Sequence, residues 1–253
     1  LRPSAIQPYE CRNVLIEGIT VRDAPFWVIH PVFCTNVIVR DVTVDSLHIN
    51  NDGCDPDSCT DVLIEDCVFH TGDDGIAIKA GRDADAWRDG RRTENVIIRN
   101  CLFRSKINAL CIGSEMSGGV RNVFMEDCDV EEGDSCIYFK SNADRGGFIE
   151  NVRVRGVRIA ESRAAVIRFE TNYHSYRGGQ APSAYRDFVI ENITCEKARN
   201  YAIFAEGTAE SPIERVLLRN VVIDQAREPL FLRNATSLRL LGVRVNGSLL
   251  PEN

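Results

Sequence analysis

Short runs of alternating apolar and polar residues recur along the chain, most of them opened by Asn or Asp. They read Asn13-Val14-Leu15-Ile16, Asn36-Val37-Ile38-Val39, Asp61-Val62-Leu63-Ile64 and Asn95-Val96-Ile97-Ile98. A second run follows each at a short interval, as in Asp41-Val42-Thr43-Val44, Asp66-Cys67-Val68-Phe69 and Asn100-Cys101-Leu102-Phe103. The series continues through Asn122-Val123, Asn151-Val152, Asp187-Phe188, Arg215-Val216 and Ser237-Leu238, so that the apolar anchor occurs nine times at intervals of roughly 23 to 37 residues. Period-2 alternation in short β-branched runs predicts strands. A repeat of this length predicts a solenoid, and its coils are too short for propeller blades of four antiparallel strands. The pattern therefore predicts an all-β parallel β-helix of about nine coils, with inward residues stacked from coil to coil and Asn or Asp at the turns.

Coil length varies through two insertions, at 82–92 and 173–185, which are expected to be loops on the binding face. The sequence starts inside a coil and stops soon after the ninth, so further N-terminal coils are expected to precede it. Residues 1–253 are read as a single β-helix domain.

Composition narrows the classes. The chain is mildly acidic, net −7, with no basic block, which argues against nucleic acid as a partner. No run of about 18 apolar residues exists, so no membrane-spanning helix is expected. Ten cysteines are many. Cys11, Cys34 and Cys59 open one recurring phrase and Cys67, Cys101 and Cys128 another. Recurrence at one repeat position predicts a buried stack of small residues rather than a disulfide or zinc framework.

The chemistry gathers between Asn50-Asn51-Asp52-Gly53 and Thr71-Gly72-Asp73-Asp74-Gly75. Asp52 precedes Asp73 and Asp74 by 21 and 22 residues, about one coil, which places them on neighbouring strands. A single Asn-Asp-Gly reads as a turn. Two such clusters one coil apart read as a site, in which crowding raises at least one carboxyl pKa and supplies an acid and a base. With Ile76/Ile78, Leu110/Ile112, Ile137/Phe139 and Ile167/Phe169 inward, the outward floor beside them is expected to be Ala77, Ala109, Tyr138 and Arg168 in one column. Lys79, Cys111, Lys140 and Glu170 are expected in the next. Arg168 is then either an anion-binding group or simply solvated. Tyr173, Tyr176 and Tyr185 are either a sugar platform or surface aromatics, and Trp27 is read as packing.

Several motifs in order resemble glycoside hydrolase family 28, the polygalacturonases and their relatives. They are Asn50-Asn51-Asp52-Gly53, Gly72-Asp73-Asp74-Gly75 and Ile112-Gly113-Ser114-Glu115-Met116-Ser117-Gly118-Gly119, the last similar to the bacterial branch. The resemblance implies a right-handed parallel β-helix that hydrolyses α-linked galacturonide bonds of an acidic, pectin-like polysaccharide with inversion, by an exo-type cut. Asp73 would be the general acid, and Asp52 and Asp74 would activate water. Asn50, Lys79, Tyr138, Lys140 and Arg168 would bind substrate, with no metal or other cofactor. A secreted or periplasmic location is implied, although no signal peptide is visible. Two positions depart from the family: Ile107 stands in the slot of a site His, and Tyr138 in that of a carboxylate-binding Arg. Rhamnogalacturonan or another decorated uronide, and a non-catalytic carbohydrate-binding β-helix, are the alternatives these departures raise.

Overall fold

A computed structural model describes residues 2–174 and 176–252. Each coil contributes three short segments, and equivalent segments stack as three parallel ladders. The first ladder runs through Val14, Val37, Val62, Val96, Val123, Val152, Phe188, Val216 and Leu238, which are the nine apolar anchors in register. The second runs from Val21 through Val44, Phe69, Phe103, Val130, Ile159, Cys195 and Ile223 to Val245. The third runs from Ile6 through Ile29, Cys54, Ile76, Leu110, Ile137, Ile167 and Ile203 to Leu230. The result is a right-handed parallel β-helix, the hand favoured for parallel crossovers.

The Asn or Asp before seven of the nine anchors has a physical cause. Asn13, Asn36, Asp61, Asn95, Asn122, Asn151 and Asp187 all have φ between 51° and 66°, the left-handed region that these residues tolerate best. Their side chains then bond along the stack: Asn122 Nδ2 donates to Asn95 Oδ1 at 2.9 Å and Asn151 Nδ2 to Asn122 Oδ1 at 2.8 Å. Each coil thus turns at the same place and ties itself to its neighbour. Inside, Phe69 stacks on Phe103 with centroids 5.5 Å apart, and Phe139, Phe169 and Phe188 form a second fully buried cluster. Nine of the ten cysteines are buried and Cys11 is exposed. Cys34 and Cys59 adjoin in one stack, where the Cys34 N–H points to Cys59 Sγ at 3.4 Å.

The insertions differ from each other. Residues 82–92 do not form the loop expected of them: Asp83–Asp89 is an α-helix that ends at Gly90 in a left-handed conformation. The short length of the insertion hid this, because about two helical turns carry no readable periodicity. The helix is pinned by Trp87 Nε1, which donates to the Arg145 carbonyl at 2.9 Å, and by Arg145 Nη1, which lies 2.6 Å from Asp83 Oδ1. The described part of 173–183 is irregular and is held by Asp144, whose carboxylate accepts from the Arg177 and Gly179 N–H groups at 2.6 and 2.7 Å.

Replacing Asn122 separates conformation from side-chain bonding. Asn122→Ala places a Cβ in the left-handed region and cuts bonds to two coils, and should cost about 1–2 kcal/mol. Asn122→Gly should cost less, because only the bonds are lost. Urea unfolding of both variants beside the parent measures the difference, and equal losses would refute the conformational part.

Candidate active site

The Asp-Gly pairs at 52–53 and 74–75 sit on the third ladder just before the bridge of Cys54 to Ile76. The Gly53 N–H donates to the Asp74 carbonyl at 2.9 Å, and the Gly75 N–H to the Asn108 carbonyl at 2.7 Å. Asp52, Asp74 and Asn108 are therefore stacked on consecutive coils. Glycine is required here by space, not by turn geometry. A Cβ on Gly53 would come within 2.4 Å of the Phe69 ring, and one on Gly75 within 2.5 Å of the Phe103 ring. Asn51 braces the corner from within, its amide donating to the Ala24 and Phe26 carbonyls and accepting from Ser46 and the His48 N–H.

Asp52, Asp73 and Asp74 converge, with one carboxylate oxygen from each lying within 4.8 Å of the others. Asp52 and Asp74 are buried and Asp73 is half-buried. Two ammonium groups reach the cluster. Lys140 Nζ lies 3.3 Å from Asp74 Oδ2, while Lys79 Nζ lies 3.8 Å from Asp52 Oδ2 and 3.5 Å from Asp55 Oδ1. Burial pushes the Asp52 carboxyl up to about 7 against the pull of Lys79, with Asp74 and Asp73 adding repulsion. Burial also raises Asp73, reinforced by the Asp74 charge and opposed by Lys140 and Lys79. Burial disfavours the charge on both lysines, but the carboxylates beside them outweigh it and hold both above their ordinary range. The expected crowding is thus present, with the upward shift at Asp52 and Asp73.

The remaining expected site residues divide. Lys79 is not on the open floor. It is 5% exposed, lies under the aspartates and stacks 4.3 Å from the Trp27 ring, so Trp27 packs against a charge of the site. Tyr138 is 4% exposed and its hydroxyl donates to Glu170. Arg168 lies between the Tyr138 and Phe204 rings, 4.7 and 5.2 Å from their centroids, with Nη2 2.8 Å from Glu170 Oε2. Asn50 is at a turn with φ 59°, and its Oδ1 accepts from Arg2 Nη2 at 2.7 Å. Lys140 lies beside the Tyr138 and Tyr173 rings, at 5.4 and 5.3 Å. Tyr173 alone of the three loop tyrosines adjoins the cluster. Tyr185 is 1% exposed in the core, where its place in the first ladder points it inward, and Tyr176 is bonded within its own loop.

Two alignments read from alternation were displaced. The column beneath Ala77 holds Cys111, not Ala109, before Tyr138 and Arg168, and the Lys140–Glu170 column holds Gly113, not Cys111. The slip is one side-chain period: with Leu110 and Ile112 inward, the residue between them is Cys111. In the 107–109 phrase the side chain that meets the aspartates is Asn108, not Ile107. Its Nδ2 lies 2.5 Å from Asp74 Oδ1, and its Oδ1 accepts the Ser135 N–H at 3.2 Å. Asn108 had a signal in the sequence. It follows Asp74 by 34 residues, the same step that separates Val62 from Val96. Asp55, fully buried beside Lys79, was also missed.

Comparison with known proteins follows from this arrangement. The model of "Glycosyl hydrolases family 28" matches residues 1–239. The chain belongs to this family. A probable polygalacturonase of Vitis vinifera is 32% identical over 89% of the chain and 47% of its own length. An exo-poly-alpha-D-galacturonosidase of Dickeya chrysanthemi is 24% identical over 83% of the chain and 36% of its own length. Among solved structures, an exopolygalacturonase from Thermotoga maritima is 37% identical and superposes with a TM-score of 0.94, over 99% of this chain and 56% of that one. This family 28 chain spans about half the length, or less, of the curated relatives it matches.

The raised Asp52 has a measurable consequence for stability. A carboxyl raised from about 3.9 unfolded to about 7 folded binds its proton more tightly in the native state. Its contribution is therefore fully favourable below pH ~4 and is lost as pH rises towards 7. Asp52→Asn removes the titrating group. Relative to the parent, the variant should gain stability as pH rises from about 4 to about 7 and level off above that. Unfolding midpoints across this range test it, and a gap that is independent of pH would contradict the assignment.

Proposed function

We propose that this chain hydrolyses α-linked galacturonide bonds of pectic polysaccharide by acid–base catalysis with inversion. The observation that carries the proposal is the convergence of Asp52, Asp73 and Asp74 within 4.8 Å between two buried ammonium groups. Asp73, the least buried of the three and raised by burial and by Asp74, donates a proton to the glycosidic oxygen. Asp52 and Asp74, stacked one strand apart, accept from a water between them and direct it at the anomeric carbon. Bond cleavage passes the electron pair to the leaving oxygen, which takes the Asp73 proton, while the attacking water gives its proton to the carboxylate pair.

The spacing is narrower than that of inverting enzymes with two carboxylates, where the groups stand about 6.5–9.5 Å apart. We assign inversion from the resemblance to family 28, not from this spacing. The names of the relatives, polygalacturonase and exopolygalacturonase, supply the substrate class and the exo mode in this reading. The same names support secretion or a periplasmic location, because pectic polymers lie outside the cytoplasm.

Lys140, one contact from Asp74, is assigned to the sugar carboxylate nearest the cut. Arg168 takes the role of the family's displaced Arg one coil further along, held by the two aromatic faces and Glu170. Tyr138 in this reading is a prop for Arg168. Asn50, held by Arg2, and Lys79, buried beneath Asp52, bind sugar less directly than their motif positions imply. The lost Arg slot favours a second reading in which a decorated uronide such as rhamnogalacturonan is the better substrate.

Product analysis on homogalacturonan and rhamnogalacturonan tests the activity. Asp73→Asn should lower turnover by at least about 10²-fold. Proton NMR during the first turnovers should show inverted anomeric configuration, and a retained product would overturn the assignment of Asp52 and Asp74. Release of one small product throughout the reaction supports the exo mode, whereas a ladder of oligomers contradicts it. Arg168→Ala should raise KM for polygalacturonate about tenfold with little change in kcat. An unchanged KM would remove Arg168 from substrate recognition.

A further inference from the structure

Beneath the three aspartates lies a fourth carboxyl that this mechanism does not use. Asp55 is 0% exposed, and neither of its side-chain oxygens has a hydrogen-bond partner among the described residues. Asp52 Oδ1 is in the same condition. The nearest cation to both is Lys79 Nζ, at 3.5 and 3.8 Å, beyond good hydrogen-bonding distance. That ammonium is also shared with Glu115 at 4.0 Å and the Trp27 ring at 4.3 Å. An ionised carboxylate buried without hydrogen bonds costs many times more than a neutral carboxyl in the same place.

Charge balance points the same way. Asp52, Asp55, Asp73 and Asp74 surround two ammonium groups, those of Lys79 and Lys140, while the more exposed Glu115 is also paired with Arg82 at 3.5 Å. With all four aspartates ionised the buried set carries an excess of two negative charges. It becomes neutral when two protons remain. One belongs on Asp73, the acid.

We propose that the second stays on Asp55, a neutral positioning residue whose O–H donates to Asp52 and favours the ionised form of Asp52, the base. Burial and the Asp52 charge, acting against Lys79, raise Asp55 well above the ordinary carboxyl range, in agreement with this role. Asp52 is faced by Asp55, Asp73, Asp74 and Lys79; of the two buried carboxyl neighbours, Asp74 is bonded to Asn108 and paired with Lys140, whereas Asp55 is not bonded among the described residues. The proton on Asp55 does not enter the reaction. It offsets the burial that otherwise drives Asp52 towards its own neutral form, and leaves Lys79 to balance Asp52.

The role of Asp55 in turnover rests on the hydrolase reading; its protonation does not. Infrared spectra of the unsubstituted chain from about pH 5 to 9 should retain a protonated-carboxyl C=O band above pH ~8, and Asp55→Asn should lack it. Absence of the band in the parent overturns the proposal, with no variant needed. Kinetics supply the second arm, as the acid limb of kcat/KM on galacturonate oligomers. Asp55→Asn retains a neutral donor and should keep that limb near the parent position. Asp55→Leu removes the donor and should move it up by about one pH unit, a tenfold loss on the limb. A downward shift in Asp55→Asn would mean that a negative charge had been removed, and so would overturn the proposal. If the parent hydrolyses nothing, the proposed function fails and the infrared arm still decides the state of Asp55.

Discussion

Every side chain of the candidate site owes its position to the one-strand step between coils. Parallel hydrogen bonding fixes that step at about 4.8 Å, and a shift of one residue along any strand would turn its side chains to the opposite face. The left-handed turns at Asn13, Asn36, Asp61, Asn95 and Asn122 prevent such a shift by starting each coil at the same angular position. The insertions are tolerated because they leave between strands. Between Val62 and Val96 the chain adds a helix, yet the two residues pair as if it were absent.

On that frame the site is an exercise in crowding. Glycines at 53 and 75 let the backbone of each coil close onto a phenylalanine ring, which brings Asp52 directly over Asp74. Carboxylates at that spacing repel one another, and burial makes the repulsion worse. The fold relieves it by sealing two ammonium groups beside them and by retaining protons. Lys79 is held from one side by the Trp27 ring and from the other by carboxylates, so its charge serves the aspartates before any substrate arrives. Lys140 lies among Asp74, Tyr138 and Tyr173, at the join between the acidic cluster and the aromatic residues. Arg168 stands one coil further on, clamped between aromatic faces.

The nine anchors, the convergence of the three aspartates and the buried cysteine stacks were legible in the sequence. Each depends on a periodic signal, such as the Asn-Val phrase or the interval of 21 or 22 residues from Asp52 to the Asp73–Asp74 pair. Asn108 was legible by the same arithmetic, through its 34-residue step from Asp74, but the long insertion between them obscured the count. The two-residue slip that placed Ala109 and Cys111 in the wrong columns has another origin, the misassignment of the residue between the correctly aligned Leu110 and Ile112. Tyr185 reads as a loop aromatic beside Tyr173, yet it belongs to the next strand and is buried.

Sequence alone determined the inward positions of the repeated strands, how many coils stack and that Asp52, Asp73 and Asp74 meet, because all three follow from repeat length and a side-chain period of two. Tertiary structure alone decided what those acids experience. That Lys79 is sealed under the site, that Asp55 is buried with no donor to its oxygens among the described residues and that Asp52 is pushed up to about 7 depend on solvent exclusion and on charges contributed by several coils. Electrostatic energy depends on distance and burial in three dimensions, and a repeat pattern records neither.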